Sequence, residues 1–461
     1  MPFYELNLAV FAAVNTFLVY RQYRRGGTKE KGDASECRDR ADTELLGNWT
    51  DADPTALSEF QQEFFLVYGL AVAADWLQGP HIYAIYKYEK DIPEKLVAAL
   101  YATGFISGGV SASFAGELAD RCGRRLACLI YCGSYIVTCM SMLSNNLAVL
   151  FVGRLCGGVS TTLLFSVFEA WMITEYHNRG LDGSRLKLSS VFGYMTTLSC
   201  IIAIVSGVVG DILVAELGGR MWPFVASIVC CLAAGYLILT TWRENYGSNS
   251  PEQNSFGDVK SSIMTIITDK RILSLGVTSC FFEGAMYLFI FFWSAALKSA
   301  RERRVSSGNG EEAGDLPFGL IFASFMCAMM AGSSFFSLHS GGVHTRESAS
   351  FILMCCILLV SCCLSGAVLL EDEHLLFWAM CVLEACVGAY FPSMSFLKSE
   401  VVDDGVRGRV YSILRFPLNV LVVITHSLDR EGDAHRNHVF MSLAAFLILA
   451  FFVVKRTFAG E

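Results

Sequence analysis

Gly116-Glu-Leu-Ala-Asp120-Arg121-Cys-Gly123-Arg124-Arg125 is a basic segment punctuated by two glycines, set between long apolar runs at 97–119 and 126–143. Its composition predicts a sharp reversal between two helices, because Gly116 and Gly123 carry no Cβ and tolerate close approach and tight turns. Arg121, Arg124 and Arg125 beside apolar runs mark the cytoplasmic side of a bilayer. Asp120 stands where it can cap a helix end or pair with an arginine.

Working outward from this loop, apolar runs recur along the whole chain. Of 461 residues, 54% are hydrophobic and only 17% charged, where a water-soluble chain carries nearer a quarter. A bilayer core of about 30 Å needs about 20 apolar residues per helix. One such run lies at 3–20, and twelve more at 60–82, 97–119, 126–143, 146–172, 188–213, 221–241, 271–297, 317–338, 350–370, 374–397, 409–427 and 437–455. The first run has no basic stretch before it, carries Glu5 and Asn7, and is followed by Arg21, Arg24 and Arg25. That order reads as an uncleaved anchor with its N-terminus outside, not a signal peptide.

Positive charge tests the count. With the glycine-punctuated loop inside, and the run-edge residues Arg271, Arg409 and Lys455 counted with the inner loops, those loops hold twenty-three Lys and Arg and the outer loops ten, leaving only Arg154 and Arg415 deep inside membrane runs. This is the asymmetry that orientation demands. Outer loop 298–316 dissents, with Lys298, Arg301, Arg303 and Arg304 set among Glu302, Glu311, Glu312 and Asp315. The expected organisation is all-α and integral to the membrane. It comprises an anchor at 1–20, a polar cytoplasmic linker at 21–59, a six-helix half at 60–242, a central linker at 243–270 and a second six-helix half at 271–461. Two such halves are the layout of carriers related by a pseudo-two-fold axis. Small residues at helix-contact spacing (Gly104 and Gly108, Gly153 and Gly157, Gly332 beside Ser333 and Ser334) predict close helix crossings.

Several chemistries are excluded. The seventeen cysteines sit mostly inside apolar runs and form no ligand pattern with histidine, which predicts packing roles and no metal. No nucleophile elbow or phosphate loop points to an enzyme, no basic patch with interleaved aromatics points to nucleic acid, and no cofactor is expected.

An ionisable group inside a membrane helix costs about 3 kcal/mol on insertion scales, so each one asks for a function. Asp75, Arg154 and Glu169 lie in the first half; Glu283, Glu384 and Arg415 lie in the second. Asp75 and Glu283 fall on equivalent helices of the two halves, as do Arg154 and Glu384. A guanidinium stays charged when buried and offers a planar fork of donors to an oxyanion. Prolines at Gly79-Pro80, Phe391-Pro392 and Phe416-Pro417 are expected to break helices and free backbone groups toward a cavity.

The string Gly-x-x-x-Asp-Arg-x-Gly-Arg-Arg resembles the signature loop between helices 2 and 3 of the major facilitator superfamily. Arg154-x-x-x-Gly158 resembles a second superfamily signature, on helix 4. Leu70-Ala-Val-Ala-Ala-Asp-Trp-Leu-Gln78, Phe165-Ser-Val-Phe-Glu-Ala-Trp171, Gly319-Leu-Ile-Phe-Ala-Ser-Phe-Met326 and Glu244-Asn-Tyr246 resemble the molybdate-anion transporters of that superfamily. So do Gly388-Ala-Tyr-Phe-Pro-Ser-Met-Ser-Phe-Leu397 and Arg415-Phe-Pro-Leu418. The matches run in order through both halves. The corresponding loop of the second half, His339-Ser-Gly-Gly-Val-His-Thr-Arg346, is degenerate.

The resemblance implies a multi-pass carrier that takes up molybdate by alternating access around a site near the bilayer midplane. Arg154 and Arg415 are the expected oxyanion donors, with Trp76, Gln78, Tyr390 and Asn419 as neutral donors. Gly116, Asp120, Arg121, Gly123, Arg124 and Arg125 form the expected gate loop. Four intramembrane acids (Asp75, Glu169, Glu283 and Glu384) outnumber two arginines, so a dianion is expected to travel with protons carried by Asp75, Glu283 or Glu384, or to bind away from paired gate acids. A monomer in the plasma membrane with a cytoplasmic C-terminus completes the expectation. The alternatives are a superfamily carrier of sulfate, an organic anion or a sugar, a non-transporting sensor or scaffold of the same fold, and a drug exporter. The exporter is disfavoured because Ser206-Gly-Val-Val-Gly-Asp211 lacks a Gly-Pro antiporter pattern.

Overall fold

The computed structural model describes residues 3–40, 54–112, 114–181, 188–247, 263–306, 316–339, 346–402, 407–427 and 432–458. The helices are α1 (Phe3–Arg40), α2 (Pro54–Gln78), α3 (Glu94–Ala112), α4 (Ala115–Cys122), α5 (Arg124–Ser141), α6 (Leu147–Asn178) and α7 (Leu188–Leu217). They continue as α8 (Trp222–Thr241), α9 (Lys270–Ser306), α10 (Phe318–His339), α11 (Arg346–Leu369), α12 (Glu373–Val401), α13 (Arg407–Ser427) and α14 (Asp433–Phe458). Ten described helices are long and apolar enough to cross a membrane. Helices α2, α5 and α13 occupy the expected runs at 60–82, 126–143 and 409–427 but fall outside that set. Helix α2 carries Glu59, Glu63 and Asp75, α5 opens on Arg124 and Arg125, and α13 has only a shorter apolar stretch, Ile413–His426. The chain is a multi-pass, all-helical membrane protein.

The chain divides into two compact units. The first holds residues 12–79 and 110–248. In it α2 packs on α7 and α8, and α5 packs on α6 and α8. The second holds residues 1–11, 80–109 and 249–461. There α12 packs on α10, α11 and α9, while α9 also meets α13 and α14. Large apolar side chains such as Val229, Leu232, Tyr236, Phe351 and Phe452 point outward, as expected where the surrounding solvent is lipid.

Close crossings depend on glycine where backbones touch. A Cβ built on Gly332 of α10 would overlap the Ala385 carbonyl of α12, and one on Gly388 of α12 would overlap the Met329 carbonyl of α10. Neither carbonyl can swing aside, because both belong to helical backbone. Gly388→Val is therefore expected to destabilise the second unit by about 1–3 kcal/mol. The check is a lowered thermal unfolding midpoint in detergent; an unchanged midpoint would remove this account of the crossing.

Three boundaries differ from the sequence reading. The run 97–119 is interrupted: α3 stops at Ala112, and α4 is a separate short helix whose Glu117, Leu118 and Arg121 are exposed. Helix α1 continues beyond residue 20 to Arg40, into the polar stretch, and residues 41–53 lie outside the described residues. Helix α9 runs beyond 297 to Ser306, which accounts for the dissenting outer charges. Arg301 and Arg304 lie 3.6 and 3.7 Å from the carboxylate of buried Glu373, which also accepts a 2.5 Å hydrogen bond from Tyr4. Arg303 pairs with Asp433 at 3.1 Å, and Lys298 sits 3.3 Å from the Tyr88 ring centroid. These cations are locally matched, so they pull weakly against the topology. Residues 307–315, 340–345 and 248–262, which hold parts of that outer loop, the degenerate loop and the central linker, lie outside the described residues.

The prolines also behave differently. Gly79-Pro80 does end α2, passing into a 3-10 turn (Gly79–His81), a single helical turn (Ile82–Ala84) and a π turn (Ile85–Glu89). Pro392 and Pro417 instead lie inside continuous helices. One missing N–H does not break a membrane helix when neighbouring helices hold it.

Candidate functional site

In the first unit the acid of α2 is held by a tyrosine of α5. Tyr135 Oη donates to Asp75 Oδ1 at 3.1 Å and is itself the acceptor for Gln78 Nε2. One turn earlier, Tyr131 Oη donates to the Ala71 carbonyl at 2.8 Å, fixing α5 against α2. The helical period puts Asp75 and Gln78 on one face and turns Trp76 away. Accordingly Trp76 Nε1 reaches Ser199 Oγ of α7 at 3.4 Å. Two of the expected site residues therefore meet, and the third faces a different neighbour.

Arg154 is half-buried on α6, immediately after a tight crossing. A Cβ on Gly153 would overlap Ser141, one on Gly157 would lie 3.2 Å from Thr138 Cγ2, and Thr138 Oγ1 donates to the Gly153 carbonyl at 3.1 Å. The crossing fixes the rotation of α6 and hence the face of the helix from which Arg154 leaves the backbone. Glu169, also half-buried on α6, lies within electrostatic range of Tyr68.

The second unit gathers more. Glu283 is buried on α9 and accepts at one oxygen, Oε1, from Ser279 Oγ at 2.7 Å and from Tyr390 Oη at 3.1 Å. Phe282 stacks on the Tyr390 ring with centroids 3.9 Å apart and planes 7° from parallel, which fixes the phenol. Arg415 is exposed on α13 and lies within electrostatic range of Tyr287, as does Glu283. Helix α13 can come this close because Gly276 and Gly284 of α9 receive Leu414 at 2.5 Å and Leu421 at 2.9 Å from where a Cβ would stand. Asn419 packs its amide against Gly109, 3.0 Å from a Cβ built there. Glu384 is buried on α12, and among the described residues no side chain hydrogen-bonds it.

The signature segment is a helix and a turn. Gly123, at φ +113°, ends α4 and opens α5, and the space a Cβ would fill holds the Glu244 carboxylate at 2.6 Å. That carboxylate accepts from the backbone N–H groups of Arg125 and Leu126 at 2.8 and 3.2 Å, which puts an anion on the otherwise unsatisfied N-terminus of α5. Asp120 pairs with Arg124 at 2.7 Å, and Arg124 also donates to the Ala170 carbonyl and to Thr174. Arg125 donates to the Ile238 and Leu239 carbonyls at the end of α8. Arg121 faces outward, pairing with Glu117 at 2.5 Å. Gly116 lies inside α4 with nothing within 4 Å of a Cβ, so the close approach expected of two glycines belongs to Gly123 alone.

Residues 242–247 complete this turn. Trp242 stacks on Trp171 with centroids 3.6 Å apart, Trp171 Nε1 donates to the Arg243 carbonyl, Asn245 donates to the Trp171 carbonyl, and Gly247 N donates to the Asp120 carbonyl. A stretch that reads as the start of a hydrophilic linker is thus fastened into the first unit. Sequence reasoning did not name Tyr135, Ser279, Tyr287 or Lys398. The tyrosines and the serine are common in helices and carry no signal of their own. Ser279 is four residues from Glu283, a spacing that puts both on one helix face.

The comparisons with known proteins fit this architecture. Residues 46–372 match a family model described as sugar transporters with 12 TM. The molybdate-anion transporter of Xenopus tropicalis is 30% identical over 412 residues, covering 87% of this chain and 86% of that protein. The chain belongs to the molybdate-anion transporter family of the major facilitator superfamily. The family's member from Xenopus laevis is 29% identical over 434 residues, covering 92% of this chain and 90% of its own. The fold is shared with the crystal structure of the nucleoside transporter NupG, at a TM-score of 0.65 and 12% identity over 87% of this chain and 99% of that one. A member of this transporter family is not an enzyme.

Proposed function

We propose that this chain takes up molybdate across a membrane by alternating access, acting as a monomer with protons as the coupling ion. The observation that carries the reading is similarity over nearly the full length to proteins named molybdate-anion transporters. The charges support it: each unit keeps a guanidinium in a membrane helix, Arg154 on α6 and Arg415 on α13. A neutral sugar would not need two such groups, whereas an oxyanion uses their planar forks. Within the first unit Gln78, and within the second Tyr390 and Asn419, would supply neutral donors, while Trp76 faces Ser199 instead; the turn at Gly123 with Asp120 and Arg124 would act as the gate.

The direct test is molybdenum accumulation, measured by elemental analysis, in cells expressing the chain with and without excess sulfate. Accumulation above empty-vector cells that survives sulfate supports molybdate. Accumulation abolished by sulfate would make the chain a general oxyanion carrier, and none would remove the reading.

The proposed orientation places the N-terminus outside and the C-terminus in the cytoplasm of the plasma membrane. A tag before Phe3 should be accessible to impermeant reagent on intact cells. Tags within 41–53 or after Phe458 should become accessible only on permeabilisation. Both termini on one side would overturn the arrangement.

A further inference from the structure

Lys398 lies near the end of α12, inside a helix of membrane-spanning length and hydropathy. A lysine there is costly unless it has partners or a task. Its Nζ donates to Ser279 Oγ at 3.3 Å, and that hydroxyl donates to Glu283 Oε1 at 2.7 Å. Lys398 therefore reaches the carboxylate only through an intervening hydroxyl and makes no direct ion pair with it. Its ammonium also stands 5.8 Å from the Tyr411 ring centroid and within electrostatic range of Arg415. Two cations from α12 and α13 thus lie within electrostatic range of each other, and the lysine is linked through Ser279 to an acid of α9. Two like charges kept together in a membrane protein repel, and the arrangement is stabilised when an anion joins them.

We propose that Lys398 is a second cationic ligand of the oxyanion site, acting with Arg415 on a tetrahedral dianion, while Ser279 hands the ammonium to Glu283 when the site is empty. Charge matching follows: lysine and arginine together offset a dianion. The lysine supplies a mobile point charge and the arginine a fixed fork. Glu283 then serves as the resting counter-ion, with Tyr390 and Ser279 holding its Oε1. The proposal rests on the molybdate reading above and adds a residue to it.

The test is equilibrium binding to purified full-length protein in detergent, read as molybdate-dependent thermal stabilisation, with transport measured alongside. Lys398→Gln is expected to weaken molybdate binding by at least about tenfold, and Lys398→Arg to weaken it less. A purely structural lysine makes a different prediction for the double variant Lys398→Gln with Glu283→Gln. Removing both charges would then restore binding to the wild-type level, and that result would overturn the proposal. Binding that stays weak in the double variant supports it, and this variant also serves if Lys398→Gln alone does not fold. Unaltered affinity in Lys398→Gln overturns the role of Lys398 while leaving molybdate as substrate. A wild-type protein that molybdate does not stabilise, in cells that accumulate no molybdenum, overturns the underlying reading as well.

Discussion

Arg415→Ala is expected to lower molybdate uptake by about a hundredfold or more while the protein still reaches the membrane. Truncating one partner of a charge pair held away from water costs about 2–5 kcal/mol. Arg415 sits on α13 at the point where Gly276 and Gly284 let that helix approach α9, so packing sets its backbone position while the side chain stays accessible. Arg154→Ala should behave alike, because the crossing at Gly153 and Gly157 orients α6 in the same manner. Lysine at either position should rescue poorly, since it offers a point charge in place of a fork. Uptake kinetics and surface labelling of the same cells decide the matter. Normal uptake by both alanine variants would mean that the anion is bound elsewhere.

The second large effect concerns the carboxyl groups. A unit charge 4 Å from another interacts by about 4 kcal/mol at an effective dielectric of 20, so a dianion beside ionised Glu283 would be strongly opposed unless a proton came with it. Around Glu283 stand Ser279, Tyr287, Tyr390 and Lys398, and Arg415 lies within range of Tyr287 and Lys398. Uptake is expected to rise as external pH falls from about 8 to about 6, and the amide substitution of whichever acid carries the proton to flatten that rise, Glu283→Gln being the test on α9. Asp75→Asn and Glu384→Gln are the parallel tests in the first unit and on α12. Uptake that ignores pH and survives a protonophore would leave all of these acids, Glu169 included, as structural partners.

The fold was legible because lipid imposes a coarse rule. A span must be long and apolar, and runs of that kind are visible without any knowledge of packing. What the rule does not see is where a helix ends within a run. The break between Ala112 and Ala115 spans only Ser113 and Phe114, too short an interval for hydropathy to mark it. At the site, intramembrane acids and arginines stood out because they are rare there. Their partners did not: Tyr135 looks like an ordinary helix residue until tertiary packing brings it to Asp75, and Ser279 does too, although the helical period alone sets it beside Glu283. Lys398 was lost for a different reason. The apolar run was closed at residue 397, one position before a charge that the helix in fact carries inward to Ser279. Pro392 and Pro417 erred the other way, since local chemistry announced breaks that neighbouring helices prevent.

Glu244 beneath Gly123 has a consequence for how the chain is made. The N-terminus of α5 is closed by a carboxylate 119 residues further along. At a synthesis rate of about 5–20 residues per second, that partner leaves the ribosome on the order of ten seconds after the turn itself. Until then the turn must wait at the membrane surface with its amides facing water, and Trp171 lacks the ring that will stack on it. The signature segment is thus translated well before α6 to α8, yet it is among the last parts of the first unit to be finished. A ribosome stalled between α8 and residue 247 would leave a nascent chain with α2 to α8 all synthesised and this corner still open to chaperones and proteases.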